Sequence, residues 1–145
     1  MSAFRRVLVG WDASQDAARA LSLAEDLAED LHGDVVVVTV ICAPAHSETE
    51  EGRIRQMEAM RQRAMDELRS HASSQGAGIG RPFSHVVIEG SDPAEALCRY
   101  SLEHGFDVVF VGRQGTDAAV HPHLGGVTER LVRKSPCPVA VIGTS

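Results

Sequence analysis

Four short apolar runs, VLVG at 7–10, VVVVTVI at 35–41, VVFV at 108–111 and VAVI at 139–142, are too brief for ordinary helices and rich in β-branched residues. Such runs suit strands buried on both faces, the environment of a parallel sheet. A fifth, less apolar run spans Phe83 to Ile88. Helical periodicity fills each interval, so the order reads β-α-β-α-β-α-β-α-β. Strands joined in this way predict an α/β fold: a doubly wound, five-stranded, mostly parallel sheet with helices on both faces. The 145 residues fit a single domain, 1–145, which buries about two-thirds of its unfolded surface without staples.

Local signals set the expected boundaries. The first strand runs from Arg5 to Gly10, and Ser14 is an N-cap for the helix in which Ala17, Ala20, Leu21, Ala24, Leu27, Ala28 and Leu31 recur at helical spacing. Gly33 ends that helix as a C′ glycine. A second helix is predicted from His46 to Gln75, opened by a Ser47/Glu50 capping box. Its apolar stripe is Ile54, Met57, Met60, Ala64, Met65, Leu68 and Ala72, which reads as core rather than as a methionine groove. Gly76, Gly78, Gly80 and Pro82 mark a turn before the third strand. Asp92, Pro93 and Glu95 then start a helix reaching His104, and Val127 to Lys134 forms the last one.

The chemistry concentrates between Asp107 and Thr128, DVVFVGRQGTDAAVHPHLGGVT, where a strand runs through glycines into a helix. Glycines allow backbone N–H groups to approach an anion, and a helix N-terminus adds unpaired donors and partial positive charge. The spacing is G-x2-G-x9-G, which is neither a Walker loop nor a Rossmann fingerprint. Ligands of open α/β sheets bind beyond the carboxyl ends of the strands, and Asp12 lies there after the first strand. As a lone loop aspartate it also reads as a solvated turn residue. Val40, at the end of the second strand, reads equally as core. Arg113 is either a phosphate partner or a surface charge.

With VLVGWDAS near the start and SPCPVAVI near the end, the glycines Gly112, Gly115 and Gly125 resemble the universal stress protein family over essentially the whole chain. In the nucleotide-binding members a Ser or Thr follows the third glycine. Gly126 stands there instead, so the match to those members is partial, and it implies weaker ATP binding than an intact motif supports. The resemblance implies the strand order 3-2-1-4-5 and an adenine-nucleotide ligand, ATP first, with Mg²⁺ as an optional companion and no redox cofactor. It carries site roles onto Asp12 and Ala13 in the first loop and Val40 beside the adenine. Gly112, Arg113, Gly115, Gly125, Gly126, Val127 and Thr128 would surround the phosphates. It implies a stress-response sensor or regulatory domain. The competing class is a dimeric interaction module of the same fold that binds no nucleotide. Both act as a homodimer through the last strand, where Val139 and Val141 form an apolar edge with no inward charge to block pairing.

Other classes are disfavoured. The net charge is −6 with a pI near 5.6 and no basic run, so nucleic acid is not an expected partner. No stretch reaches the roughly 18 apolar residues of a membrane span, and the N-terminus reads as a strand rather than a signal segment, so a cytoplasmic protein is expected. Cys42, Cys98 and Cys137 form no C-x2-C pair, against both a disulfide framework and a zinc site. His121 and His123, split by Pro122, lack a third ligand and read as an exposed loop tip. No nucleophile elbow, metal-ligating acid pair or general base is visible, so no catalytic residue is assigned and slow ATP hydrolysis is the most that is expected.

Overall fold

The computed structural model describes residues 4–43, 49–74, 83–114 and 125–143. Five strands, β1 (Arg6–Gly10), β2 (Asp34–Ile41), β3 (Ser84–Glu89), β4 (Val108–Gly112) and β5 (Val139–Ile142), alternate with four helices, α1 (Gln15–Leu31), α2 (Glu50–Ser74), α3 (Pro93–Glu103) and α4 (Gly126–Lys134). The sheet order is β3-β2-β1-β4-β5, as expected. Every pairing is parallel, so the sheet is parallel throughout rather than mostly so. Right-handed crossovers explain the layering. The two leftward connections place α1 and α2 on one face, and the two rightward ones place α3 and α4 on the other.

Strand periodicity divides the core accordingly. Val7, Val9, Val35, Val37 and Phe110 pack under α1 with Leu68 of α2. Leu8, Val38, Val109 and Val111 pack under α3 and α4 through Leu97 and Leu131. The start of β1 is pinned from a distance: the N–H groups of Arg5 and Arg6 both donate to the Asp107 carboxylate.

Several local expectations shift. The left-handed residue that ends α1 is His32, at φ 54°, while Gly33 donates its N–H to Ala28 O in the next position. Gly33 is needed for a different reason, since a Cβ there would overlap the carbonyl of Arg5. Helix α2 begins at Glu50, with Thr49 Oγ1 accepting from the Gly52 N–H; Ser47 and the Gly76–Pro82 turn lie outside the described residues. Its stripe is narrower than the periodicity suggested. Met57, Ala64 and Leu68 are buried, but Ile54 and Met65 are 51% and 38% exposed. A 25-residue helix is roughly 37 Å long, longer than any strand beneath it, so the sheet cannot cover its whole length.

Candidate functional site

Beyond the carboxyl ends of β1 and β4, where the connections leave in opposite directions, lies a cavity of about 150 Å³. Its walls are mostly apolar: Val38 and Val40 from β2, Val111 from β4, Pro93 and Leu97 from α3, and Val127 from α4. Gly10, Trp11 and Asp12 border it on one side, and Gly112, Gln114, Gly125 and Thr128 on the other. Among the described residues that line it, Asp12 is the only charged one.

The first loop is shaped by its own side chains. Asp12 is exposed, and its Oδ1 accepts the Ser14 N–H at 3.0 Å, an Asx turn that fits Ala13 at φ 63°. Asp12 therefore builds the turn, and the same residue borders the cavity. Ser14 Oγ accepts the Ala17 N–H and caps α1, as expected. Ala13 is not among the residues lining this cavity. It borders a separate groove between α1 and α2, where Trp11 lies 5.1 Å from His71, ring centroid to centroid. Burial holds the His71 imidazole below the ordinary histidine range.

The second loop is braced at its base. The Arg113 N–H donates to Ile142 O at 2.6 Å, and the Gly125 N–H donates to Arg113 O at 2.8 Å. Thr128, buried, donates its hydroxyl to Gly112 O at 2.7 Å. Its hydroxyl proton is thus committed to the backbone. Arg113 is exposed, and its guanidinium lies toward Gly143 at the end of β5 rather than along the cavity. Gly115, His121 and His123 lie outside the described residues.

The helix starts around the cavity differ in one respect. Ser14 and Asp92 cap α1 and α3 through side chains, and the Asp92 carboxylate also meets Arg130 of α4 at 3.4 Å. Desolvation alone would raise the Asp92 carboxyl, but the Glu95 N–H, the Arg130 charge and the Ala94 N–H together hold it below the ordinary carboxylate range. Helix α4 starts on Gly125, in extended conformation and with no side-chain cap. Its first-turn N–H groups have no intrahelical partners; Val127 lines the cavity, whereas Gly126, between two lining residues, is not itself part of the lining. An apolar slot beside uncapped amide donors can take a flat ring and an anion together.

One residue escaped the sequence reading. Asp16, 6% exposed in the first turn of α1, accepts the Gln114 N–H through Oδ2 at 2.9 Å. A carboxylate in a helix's first turn is ordinary, and nothing local shows that its partner lies 98 positions away. Among the described residues no group of three His, Cys, Asp or Glu side chains is placed to hold a metal ion, and no helix is long and apolar enough to cross a membrane.

Comparison with known proteins agrees with this fold. The universal stress protein in the QAH/OAS sulfhydrylase 3′ region of Thermus aquaticus is 25% identical over 139 residues, covering 96% of this chain and 98% of its own. The structure of universal stress protein UspA from Lactobacillus plantarum superposes with a TM-score of 0.83 at 21% identity, covering 98% and 99%. The universal stress protein from Archaeoglobus fulgidus in complex with dAMP superposes at 0.60 with 19% identity, covering 97% and 99%. The universal stress protein family profile matches residues 3–143, and the chain therefore belongs to the universal stress protein family.

Proposed function

We propose that the chain binds an adenine nucleotide, ATP first, in the crevice between the β1–α1 and β4–α4 loops, as a cytoplasmic regulatory or sensor domain. The observation that carries this reading is the start of α4, with no side-chain cap, beside an apolar cavity lined by Gly125 and Val127, where first-turn N–H groups would serve as donors to a phosphate. Val38, Val40 and Leu97 offer the surface for the base, and Asp12 an acceptor for ribose hydroxyls. The dAMP carried by the Archaeoglobus relative supports the ligand class. Gly126 lacks the hydroxyl that would reach outer phosphates, so ATP gains less over AMP than an intact motif would give it.

Calorimetric titration with ATP and with AMP tests the reading. Native protein should bind ATP at or below millimolar concentration. Asp12→Ala should weaken binding about ten- to a hundredfold, the value of a charge-assisted hydrogen bond of about 1.5–3 kcal/mol. The domain should stay folded, because among the described residues the exposed Ser14 bond is the one lost with it. Unchanged affinity in the variant would leave Asp12 as a turn residue alone. No binding of either nucleotide by native protein would replace the sensor reading with that of a dimeric interaction module.

The proposed homodimer uses β5, an edge strand paired only with β4 among the described residues. Pro138 and Ile142 carbonyls accept from Val109 and Arg113, so the even-numbered backbone groups of β5 face β4. Strand alternation turns the N–H and C=O of Val139 and Val141 outward. Val141→Pro therefore removes an outward donor without touching the β4 ladder. Light scattering should show a dimer at micromolar concentration for native protein and a folded monomer for the variant; a native monomer, or a variant dimer, refutes this interface.

A further inference from the structure

The two loops that face each other across the crevice come from opposite ends of the chain, and one buried side chain joins them. Asp16 projects from the first turn of α1, four residues after Asp12, and takes the backbone N–H of Gln114 at 2.9 Å. Gln114 itself lines the cavity, as does Gly112 two residues before it. The approach is close because Gly112 has no side chain: a Cβ there would lie 2.7 Å from Asp16 Cβ and 3.0 Å from the backbone N of Ala17. The other bonds to this turn come from different directions. Ile142 O takes the Arg113 N–H, Thr128 donates to Gly112 O, and Gly125 donates to Arg113 O. The Asp16 bond instead ties the turn to the first turn of α1, which follows the loop that carries Asp12.

We propose that Asp16 is a positioning residue for the nucleotide site, holding the turn Gly112–Gln114 in register with the Asp12 loop across the cavity. It need not touch the ligand. A carboxylate bonded to a backbone N–H is a strong acceptor, and burial at 6% exposure shields the bond from water. The N-terminus of α1 favours negative charge at that place, so the fold tolerates a buried acid there. The consequence is that the ligand-facing edge of β4 and the first turn of α1 move as one body. The proposal rests on the nucleotide reading above, and its test separates the two.

The experiment measures amide hydrogen exchange at Gln114 together with ATP titration, in native protein, Asp16→Asn and Asp16→Ala. Alanine removes the acceptor. Gln114 exchange should then accelerate at least tenfold, and the dissociation constant for ATP should rise by about tenfold. Asparagine is isosteric and keeps an acceptor without its charge, so it should fold like native protein and shift both readouts by only about threefold. Parallel, graded changes support positioning. Unchanged Gln114 exchange in the folded variants overturns it, as does faster exchange with unchanged affinity, the mark of a brace that serves stability alone. Should alanine not fold, the asparagine comparison decides by the same two criteria. If native protein binds no adenine nucleotide, the site reading fails by itself, while Gln114 exchange still tells whether Asp16 holds the turn.

Discussion

Gly112→Ala is expected to destabilise the domain by about 3 kcal/mol and to lower its melting temperature by roughly 10 °C. A methyl group at this position would lie 2.7 Å from Asp16 Cβ and 3.0 Å from both the Ala17 N and Asp16 C atoms. Two of those three neighbours are backbone, inside the first turn of a helix whose inner face is core. The turn cannot yield by a rotamer change. It must shift away from β4, stretching the Asp16–Gln114 bond and loosening the packing of Ala17. Differential scanning calorimetry checks the size of the effect. A fall of less than about 3 °C would mean that α1 has slack the structure does not suggest. Affinity for ATP should drop in the same variant even well below its melting temperature, because Gly112 and Gln114 both line the cavity.

This position marks the limit of what the sequence conveys. Gly112 was legible as a special residue, and its spacing to Gly125 carried the family resemblance. Its packing role was not legible. The sequence pointed to phosphate approach as the reason for a glycine there; the described structure adds a second one, a helix turn packed where a Cβ would stand. Elements whose causes are local came through well: β-branched runs became strands, and Ser14 and Asp92 became caps. Features set by distant packing did not. The buried state of Asp16, the direction of Arg113 toward Gly143 and the exposure of Ile54 each depend on elements far along the chain, and no pattern within a helical turn encodes them.

Val40→Phe is expected to abolish measurable nucleotide binding, a loss of roughly a hundredfold or more for ATP and AMP alike, with little change in stability. Val40 is half-buried at the end of β2 and faces a cavity of only about 150 Å³. A phenyl ring extending into that space takes the place of the base rather than crowding close-packed core. Two readings of Val40 were open from sequence, and this substitution separates them. If the residue is core alone, overpacking should cost about 1–3 kcal/mol and leave affinity intact. If it walls the base pocket, the melting temperature should hold within about 3 °C while binding disappears. The single tryptophan, Trp11, borders the cavity, so its fluorescence offers a direct titration signal in both proteins.

The position of β1 in the middle of the sheet has a consequence for how the chain is made. β1 is synthesised first, yet one of its two neighbours is β4, and the Arg6 N–H waits for a carboxylate 101 positions later. Loop closure over that distance is entropically costly and topologically slow. During translation β1, β2 and α1 can assemble early, but the flank of β1 bearing Val7, Leu8 and Val9 stays open until Val108–Phe110 leaves the ribosome. The cavity, with one wall from β2 and another from α4, cannot exist before then. A nascent chain truncated before β4 therefore leaves the Val7–Val9 edge of β1 unpaired, the kind of exposed apolar edge that favours aggregation.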